Sequence, residues 1–361
     1  MDGNRDARGC EENYAHSVIM VNCSQIQISN TTIRNSVVDG ILIGAGTEGD
    51  TSTYCRDISI ENVKIESSCR NGISIINAFG VKLKQLQISN SNGLSPAAGI
   101  DVESDLNLPT PSNKNIVITD CQITDNKGCG IMTSQKGSPE NIQIANNIIV
   151  NCEIGIFVAS KKTKVENNII KNSFTFGIQS VRYDNEDIDF NEITHNVIEK
   201  AKVGIHYSGE KGKIVGNKII TVSQSGIWLN GNTVNNTSVL IDSNEVTGSV
   251  EFGIYANNFG LSEISNNTVS SAAKEGISVI NGKSKLMANA ISKSETGFNI
   301  TGSNIELSRN IVESCQTGVS AIGGNKISLS GKIYQNKFIK VKNLWFGDIN
   351  KFAREANEEI K

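Results

Sequence analysis

One short phrase, any residue followed by Gly-Ile, recurs along almost the whole chain and limits what the chain can fold into. It reads DGILI at 39, NGISI at 71, AGIDV at 98, CGIMT at 129, IGIFV at 154, FGIQS at 176, VGIHY at 203, SGIWL at 225, FGIYA at 252 and EGISV at 275, and closes with TGFNI at 296 and TGVSA at 317. Successive glycines from Gly40 to Gly318 lie 21 to 32 residues apart. A period of that length is the mark of a solenoid, whose repeats bury their apolar sides only by stacking on one another.

Between these phrases sits a second one, an alternating strand followed by Asn and another apolar pair, as in DISIENVKI, NIQIANNII and SEISNNTVS. Each period thus supplies three short strands and tight corners, with one side of every strand facing inward. The expected fold is all-β: a single-stranded right-handed parallel β-helix of about 12 coils. A leucine-rich repeat shares the period and the Asn, but here the inward positions are Ile and Val and no repeat contains a helical stretch. The recurrent Asn suits corners in left-handed conformation, and stacked Asn amides can bond along the axis. The recurrent Gly is expected to supply backbone angles that a side chain forbids.

Composition agrees, with 33 Gly, 4 Pro and 5% aromatics. A net charge of −3 offers no basic field for nucleic acid and no attraction to an anionic membrane. No apolar run reaches the roughly 18 residues of a membrane span, and the N-terminus does not read as a secretory signal. The start, MDGNRDARG, enters strand-like sequence without a cap, so upstream coils or a capping helix are expected. The solenoid is assigned to 1–341. The segment 342–361 breaks the pattern and puts Phe346, Ile349, Phe352, Ala353 and Ala356 on one helical face, which predicts a short C-terminal helical cap. Eight cysteines include no C-x-x-C pair, so no metal site is assigned. Cys69, Cys152 and Cys315 each precede a repeat glycine by three residues and read as small fillers of a stacked column.

Aligning the repeats places the residue after each Ile in one outward column: Leu42, Ser74, Asp101, Met132, Phe157, Gln179, His206, Trp228, Tyr255, Ser278, Asn299 and Ser320. Glu103 stands two residues beyond Asp101, on the same side of its strand and about 6.5–7 Å away. That separation lets one carboxylic acid protonate a glycosidic oxygen while the other activates water, the geometry of inversion. Asp39 falls two coils away on the same face with Arg70 between, where Arg70 could hold an anionic sugar or steady a carboxylate. Charged residues face outward from any solenoid, so D-x-E alone is a weak motif; its setting before the irregular segment SDLNLPTPSNK makes it a candidate cleft. Phe157, His206, Trp228 and Tyr255 offer rings on which sugars could stack or which could shelter a loop or interface, with Arg182, Tyr183 and Asp184 beside them.

The segments MDGNRDAR, VVDGILIG at 37–44, RNGISI at 70–75 and GLSPAAGIDVE at 93–103, with the repeats, resemble the pectin-lyase-like superfamily, which includes polygalacturonases, pectate lyases, alginate epimerases and phage tailspike depolymerases. The resemblance implies a polysaccharide or cell-wall glycan as partner, an extracellular or virion-surface location, and a substrate face carrying Asp39, Arg70, Ser74, Asp101 and Glu103. The Asp-Asp pair and Gly-His-Gly phrase of polygalacturonases are absent, so the reaction stays open. The leading expectation is a glycoside hydrolase without cofactor, with Asp101, Glu103 and Asp39 catalytic and the rings, Arg70 and Arg182 binding substrate. The alternatives are a lyase on uronic-acid polymers, using Ca2+, and a non-catalytic adhesin or fibre shaft, packed as a homotrimer or free.

Overall fold

The computed structural model describes residues 1–10, 15–47, 49–103, 112–134, 139–181, 190–209, 211–231, 238–257, 260–302, 304–323 and 329–361. They form two compact units, Met1–Asn191 and Glu192–Lys361, where the sequence predicts one domain to 341.

In the first unit the Gly-Ile phrases become parallel strands stacked one coil apart. Val18–Val21, Ile41–Gly44, Ile73–Ile76, Ile100–Glu103, Cys129–Thr133, Ile154–Val158 and Phe176–Ser180 follow in order. Their register pairs Ile41 with Ile73, Ile73 with Ile100, Ile100 with Ile131, and Ile131 with Ile156. The second unit repeats the scheme from Val203–Tyr207 through Ser225–Asn230, Phe252–Asn257, Glu275–Gly282, Thr296–Gly302 and Thr317–Ala321 to Asn343–Gly347. There Ile205, Ile227, Ile254, Ile277, Phe298 and Val319 form one inward file. All six are fully buried, and cutting a file residue such as Ile254 back to Ala costs about 2–5 kcal/mol.

The repeat glycines are required for a different reason from the one expected. None of Gly40, Gly72, Gly99, Gly130 or Gly155 takes a left-handed backbone; instead, a Cβ on each would stand 2.5–2.7 Å from the carbonyl oxygen of the next repeat glycine. The same holds in the second unit from Gly204 to Gly297, at 2.5–2.8 Å. An inward Ile or Val methyl crowds the same spot, as Ile65 does at Gly40 and Val246 at Gly226.

The Asn corner divides into two adjacent positions with separate tasks. The first is left-handed and takes many residue types: His195, Ser243, Asn266, Ala288, Arg309 and Gln335 all have φ of 53–55°. The second is a buried ladder of Asn196, Asn217, Asn244, Asn267, Asn289, Asn310 and Asn336. Each of their Oδ1 atoms from Asn217 onward accepts the backbone N–H and the Nδ2 of the preceding member. The ladder, and not the left-handed turn, is what demands Asn.

The C-terminal segment is strand rather than the expected helix. Asn343–Gly347, Phe352–Glu355 and Glu358–Ile360 pair in parallel with the coil before them, with a short 3-10 turn at Ile349–Lys351 between the first two. Phe346 is exposed, Ile349 and Phe352 are buried, and Ala353 and Ala356 are exposed, so the five do not share one apolar face. Asn357 extends the ladder by accepting from Asn336, and Arg354 lies over the Trp345 ring. At the other end Arg5–Arg8 forms a four-residue helix.

The two corner positions give opposite expectations for neighbouring residues. Asn289→Ala orphans buried partners of its amide, which include Ile264 O, Asn267 and Asn310 Oδ1, and should cost about 3 kcal/mol. Ala288→Gly relieves a left-handed Ala and should leave stability unchanged or raise it by about 0.5–1 kcal/mol. Urea midpoints of the two variants check both.

Candidate functional site

The register brings five of the predicted residues, Asp39, Arg70, Ser74, Asp101 and Glu103, together in the first unit. Leu42, Ser74, Asp101, Met132, Phe157 and Gln179 are lateral partners in turn. Ile100 and Val102 fill the core, so alternation sends Asp101 and Glu103 to the outer side. There Arg70 donates to Glu103 Oε1 at 2.7 Å, and its other terminal nitrogen stands 4.0 Å from Asp39 Oδ2. Asp39, Arg70, Asp101 and Glu103 therefore make one cluster.

The cluster is not the open groove that the outward column predicts. Asp39, Ser74 and Asp101 are 0% exposed, while the Arg70 and Glu103 side chains retain 26% and 20% exposure. Arg70 lies across the acids because its guanidinium spans from Glu103 toward Asp39, and it also lines a cleft of about 350 Å³ with Val38, Leu94 and Ser95.

Beneath Arg70 the polar atoms are largely paired. Asp39 Oδ1 accepts from the Asn71 backbone and Oδ2 from Ser74 Oγ, both at 2.9 Å. The Asn71 amide donates to Ser74 Oγ at 3.0 Å and to Asp101 Oδ2 at 3.2 Å, and its carbonyl accepts from Ala98 N. Asp101 Oδ1 is buried without a hydrogen-bond partner. Burial, reinforced by the neighbouring Glu103 and opposed by Arg70, holds the Asp101 carboxyl well above the usual range. Asp101 accordingly keeps its proton where an ordinary Asp has lost it, and the cluster holds a stored acid next to an ion-paired Glu.

Two participants escaped the sequence reading. Asn71 occupies, one coil on, the position that Asp39 holds before its glycine. His16 Nδ1 stands 3.2 Å from Asp39 Oδ2 and 3.4 Å from the Asp39 backbone N. Strand Val18–Val21 pairs with Ile41–Gly44, so HSVIMV aligns with DGILIG and His16 falls directly before Asp39 in the file. That phrase lacks the glycine, which hid it. Cys69 was expected as a filler; it is disulfide-bonded to Cys10, which lies outside the repeats. Arg5 holds the same N-terminal segment down through Ser67 O, Ser68 O and Asn92 Oδ1.

The remaining predicted binding residues are not part of this cluster. Phe157 is half-buried, four strands along from Leu42 in the same file. Arg182, with Tyr183 and Asp184, lies outside the described residues. In the second unit His206, Trp228 and Tyr255 do occupy successive register positions, with ring centroids 5.3 and 6.3 Å apart. They are half-buried rather than fully presented, and burial pushes His206 down to about 4, so it is uncharged at neutral pH.

Asp101 also sets a pH dependence of stability. Its folded value is raised, so the stabilisation it permits is complete below the unfolded carboxyl value and is lost as pH climbs through the folded one. Asp101→Asn keeps the acceptor for Asn71 and carries no proton to lose. Its stability relative to the parent chain should therefore improve as pH rises above about 4, with a slope of at most about 1.4 kcal/mol per pH unit. Urea unfolding across a pH series reads this, and parallel curves would show Asp101 ionised in the fold.

Comparison with known proteins places this geometry. Residues 16–192 match the family described as right handed beta helix region, and residues 185–347 the family described as periplasmic copper-binding protein (NosD). No group of three or more His, Cys, Asp or Glu among the described residues is arranged to hold a metal ion, so the copper of the latter name finds no assembled ligand set there. The chain is 22% identical over 342 residues to the uncharacterized protein YclG of Bacillus subtilis (strain 168), covering 87% of this chain and 52% of that one; it thus spans about half the length of this relative. Among solved structures, the A-module of the mannuronan C-5 epimerase AlgE6 of Azotobacter vinelandii superposes with a TM-score of 0.55 at 11% identity, over 92% of this chain and 91% of that one. A mutant of the periplasmic alginate epimerase AlgG gives 0.50 at 13% identity, over 92% and 84%. Stacked parallel coils, an Asn ladder and these matches together identify the fold as a right-handed parallel β-helix.

Proposed function

We propose that the protein is a carbohydrate-active enzyme whose acid–base centre is the Asp39–Arg70–Asp101–Glu103 cluster, cutting a polysaccharide by hydrolysis. The observation that carries this is the asymmetry of its two neighbouring carboxyl groups. Asp101 is sealed and keeps its proton, whereas Glu103 reaches solvent and is paired with Arg70. Two carboxyl groups held in opposite protonation states are what general acid and general base require.

In this reading Asp101 donates its proton to the glycosidic oxygen as the bond to the anomeric carbon breaks. Glu103 takes a proton from a water that attacks that carbon. Arg70 covers the acid when no sugar is bound, so substrate entry displaces the guanidinium from Glu103 and frees both carboxyl groups. Asp39, fixed by Asn71 and Ser74 and flanked by His16, is the anchor to which Arg70 returns. The cleft beside Arg70 is the entrance. The disulfide between Cys10 and Cys69 fits an oxidising compartment, and hence action outside the cytoplasm.

Resemblance in fold to two alginate epimerases favours a second reading, in which the polymer is a uronate cut by elimination and Arg70 meets its carboxylate. Ultraviolet absorbance separates the two, since elimination leaves an unsaturated sugar and hydrolysis does not.

The test is a product screen on capsular, teichoic and uronic polymers, followed by single substitutions on whichever polymer is cut. Asp101→Asn and Glu103→Gln should each lower kcat by about 10²–10⁴. Activity of the parent chain should fall as pH rises through the elevated Asp101 value, because the acid is then spent before turnover. Turnover within tenfold of the parent in both variants would sink the assignment and leave the cluster a structural network.

A further inference from the structure

We propose that Cys23 and Cys55 form a second disulfide site, closed by oxidation of two thiols that the coil register holds side by side. Their sulfurs are 3.5 Å apart and both cysteines are free. The backbone at this point is already locked in parallel pairing: Ser24 bridges Arg56, Arg56 N–H donates to Cys23 O, and Gln25 N–H donates to Arg56 O, both at 3.0 Å. Laterally paired residues in neighbouring coils are separated by about 4.8 Å, inside the span of about 4.4–6.8 Å that a disulfide bridges. Rotating two side chains is enough; no backbone movement is needed.

Access to the pair is one-sided. Cys23 is half-exposed, whereas Cys55 is buried, with its Sγ 3.0 Å from Gly44 O. Buried cysteine is a common filler of cores, and that alone would account for Cys55. It does not account for a half-exposed partner in sulfur contact with it, in a chain that already carries the Cys10–Cys69 disulfide.

The reaction follows from this geometry. The Cys23 thiolate attacks an external small-molecule disulfide, giving a mixed disulfide at Cys23 and releasing one thiol. Cys55 then loses its proton and displaces the second thiol, so two protein thiols become one disulfide while the external disulfide is reduced to two thiols. Burial, with the contact to Cys55 adding to it, pushes the Cys23 thiol up to about 11. Below that value the thiolate fraction, and hence the first step, should rise about tenfold per pH unit.

Oxidised glutathione is the probe, applied to the full chain and followed by denaturation, thiol titration and peptide mapping by mass. Of the six free thiols, two should be lost, the new linkage should map to Cys23–Cys55, and the unfolding midpoint should rise. A chain found with this linkage on purification supports the proposal equally. Cys55→Ser should stop at a glutathione adduct on Cys23, and Cys23→Ser should leave Cys55 reduced. Six thiols surviving oxidation, a persistent adduct on Cys23 in the parent chain, or a bridge between other cysteines such as Cys129 and Cys152 would overturn it. None of these outcomes depends on whether the protein cuts a glycan.

Discussion

The absence of a Cβ at each repeat glycine is the constraint on which the rest of the structure depends. From Gly40 to Gly155 and from Gly204 to Gly318, the carbonyl oxygen of the next coil occupies the place where that atom would be, so these coils keep their spacing only without a side chain there. A slip of one residue would bring a side chain against that oxygen and also turn the inward Ile file to the outside. One steric fact therefore fixes register along each unit, and register decides which side chains far apart in sequence become neighbours. Asp39 and Asn71 share a file for this reason, as do Ser74 and Asp101.

Placing acids in such files has a cost that the solenoid core does not bear. Two carboxyl groups fully removed from water require compensation. Asp39 receives it from the Asn71 backbone, Ser74 and His16, whereas Asp101 has the Asn71 amide and a hydrogen bond shared with the Glu103 carboxyl, which exists only while one of the two keeps its proton. Retaining the proton is the remaining way to lower the penalty. In the proposed hydrolysis the same under-satisfaction serves Asp101 as proton donor, and the ion pair above it leaves Glu103 at the solvent edge.

Sequence alone made the register legible because two signals with different physical origins coincide: the period-2 alternation of strands and the obligatory glycine. It did not distinguish the two corner positions, since Asn serves both a left-handed backbone and a buried amide ladder, and doublets such as Asn146-Asn147 and Asn266-Asn267 fill both at once. Only corners such as Ala288-Asn289 and Arg309-Asn310 separate them. The C-terminal segment misled because Phe346, Ile349, Phe352, Ala353 and Ala356 have helical spacing, yet the same residues span strand, turn and strand, and the telling mark was Asn357 in the ladder position. The depth of the site was hidden as well. Alternation says that Asp101 leaves the core; it cannot say that Arg70 then folds over the acid.

The edge of the first unit shows why that site needs support beyond the repeat. Strand Val18–Val21, which brings His16 to Asp39, lacks the glycine of its neighbours, and its outward Ile19 and Val21 are exposed. Its hold on the stack comes from strand pairing with Ile41–Gly44 and from flanking contacts: Ser17 N donates to Asp39 O, Ser17 Oγ meets Ser36 Oγ, and Cys23 lies against Cys55. Just upstream, Arg5 and the Cys10–Cys69 disulfide fasten the segment to the corners beside Arg70. A fraying edge would carry His16 away from Asp39 and disturb the anchor toward which Arg70 reaches. The contacts that tie this coil down thus act on the Asp39–Arg70 cluster through position alone, since none of them touches Asp101 or Glu103.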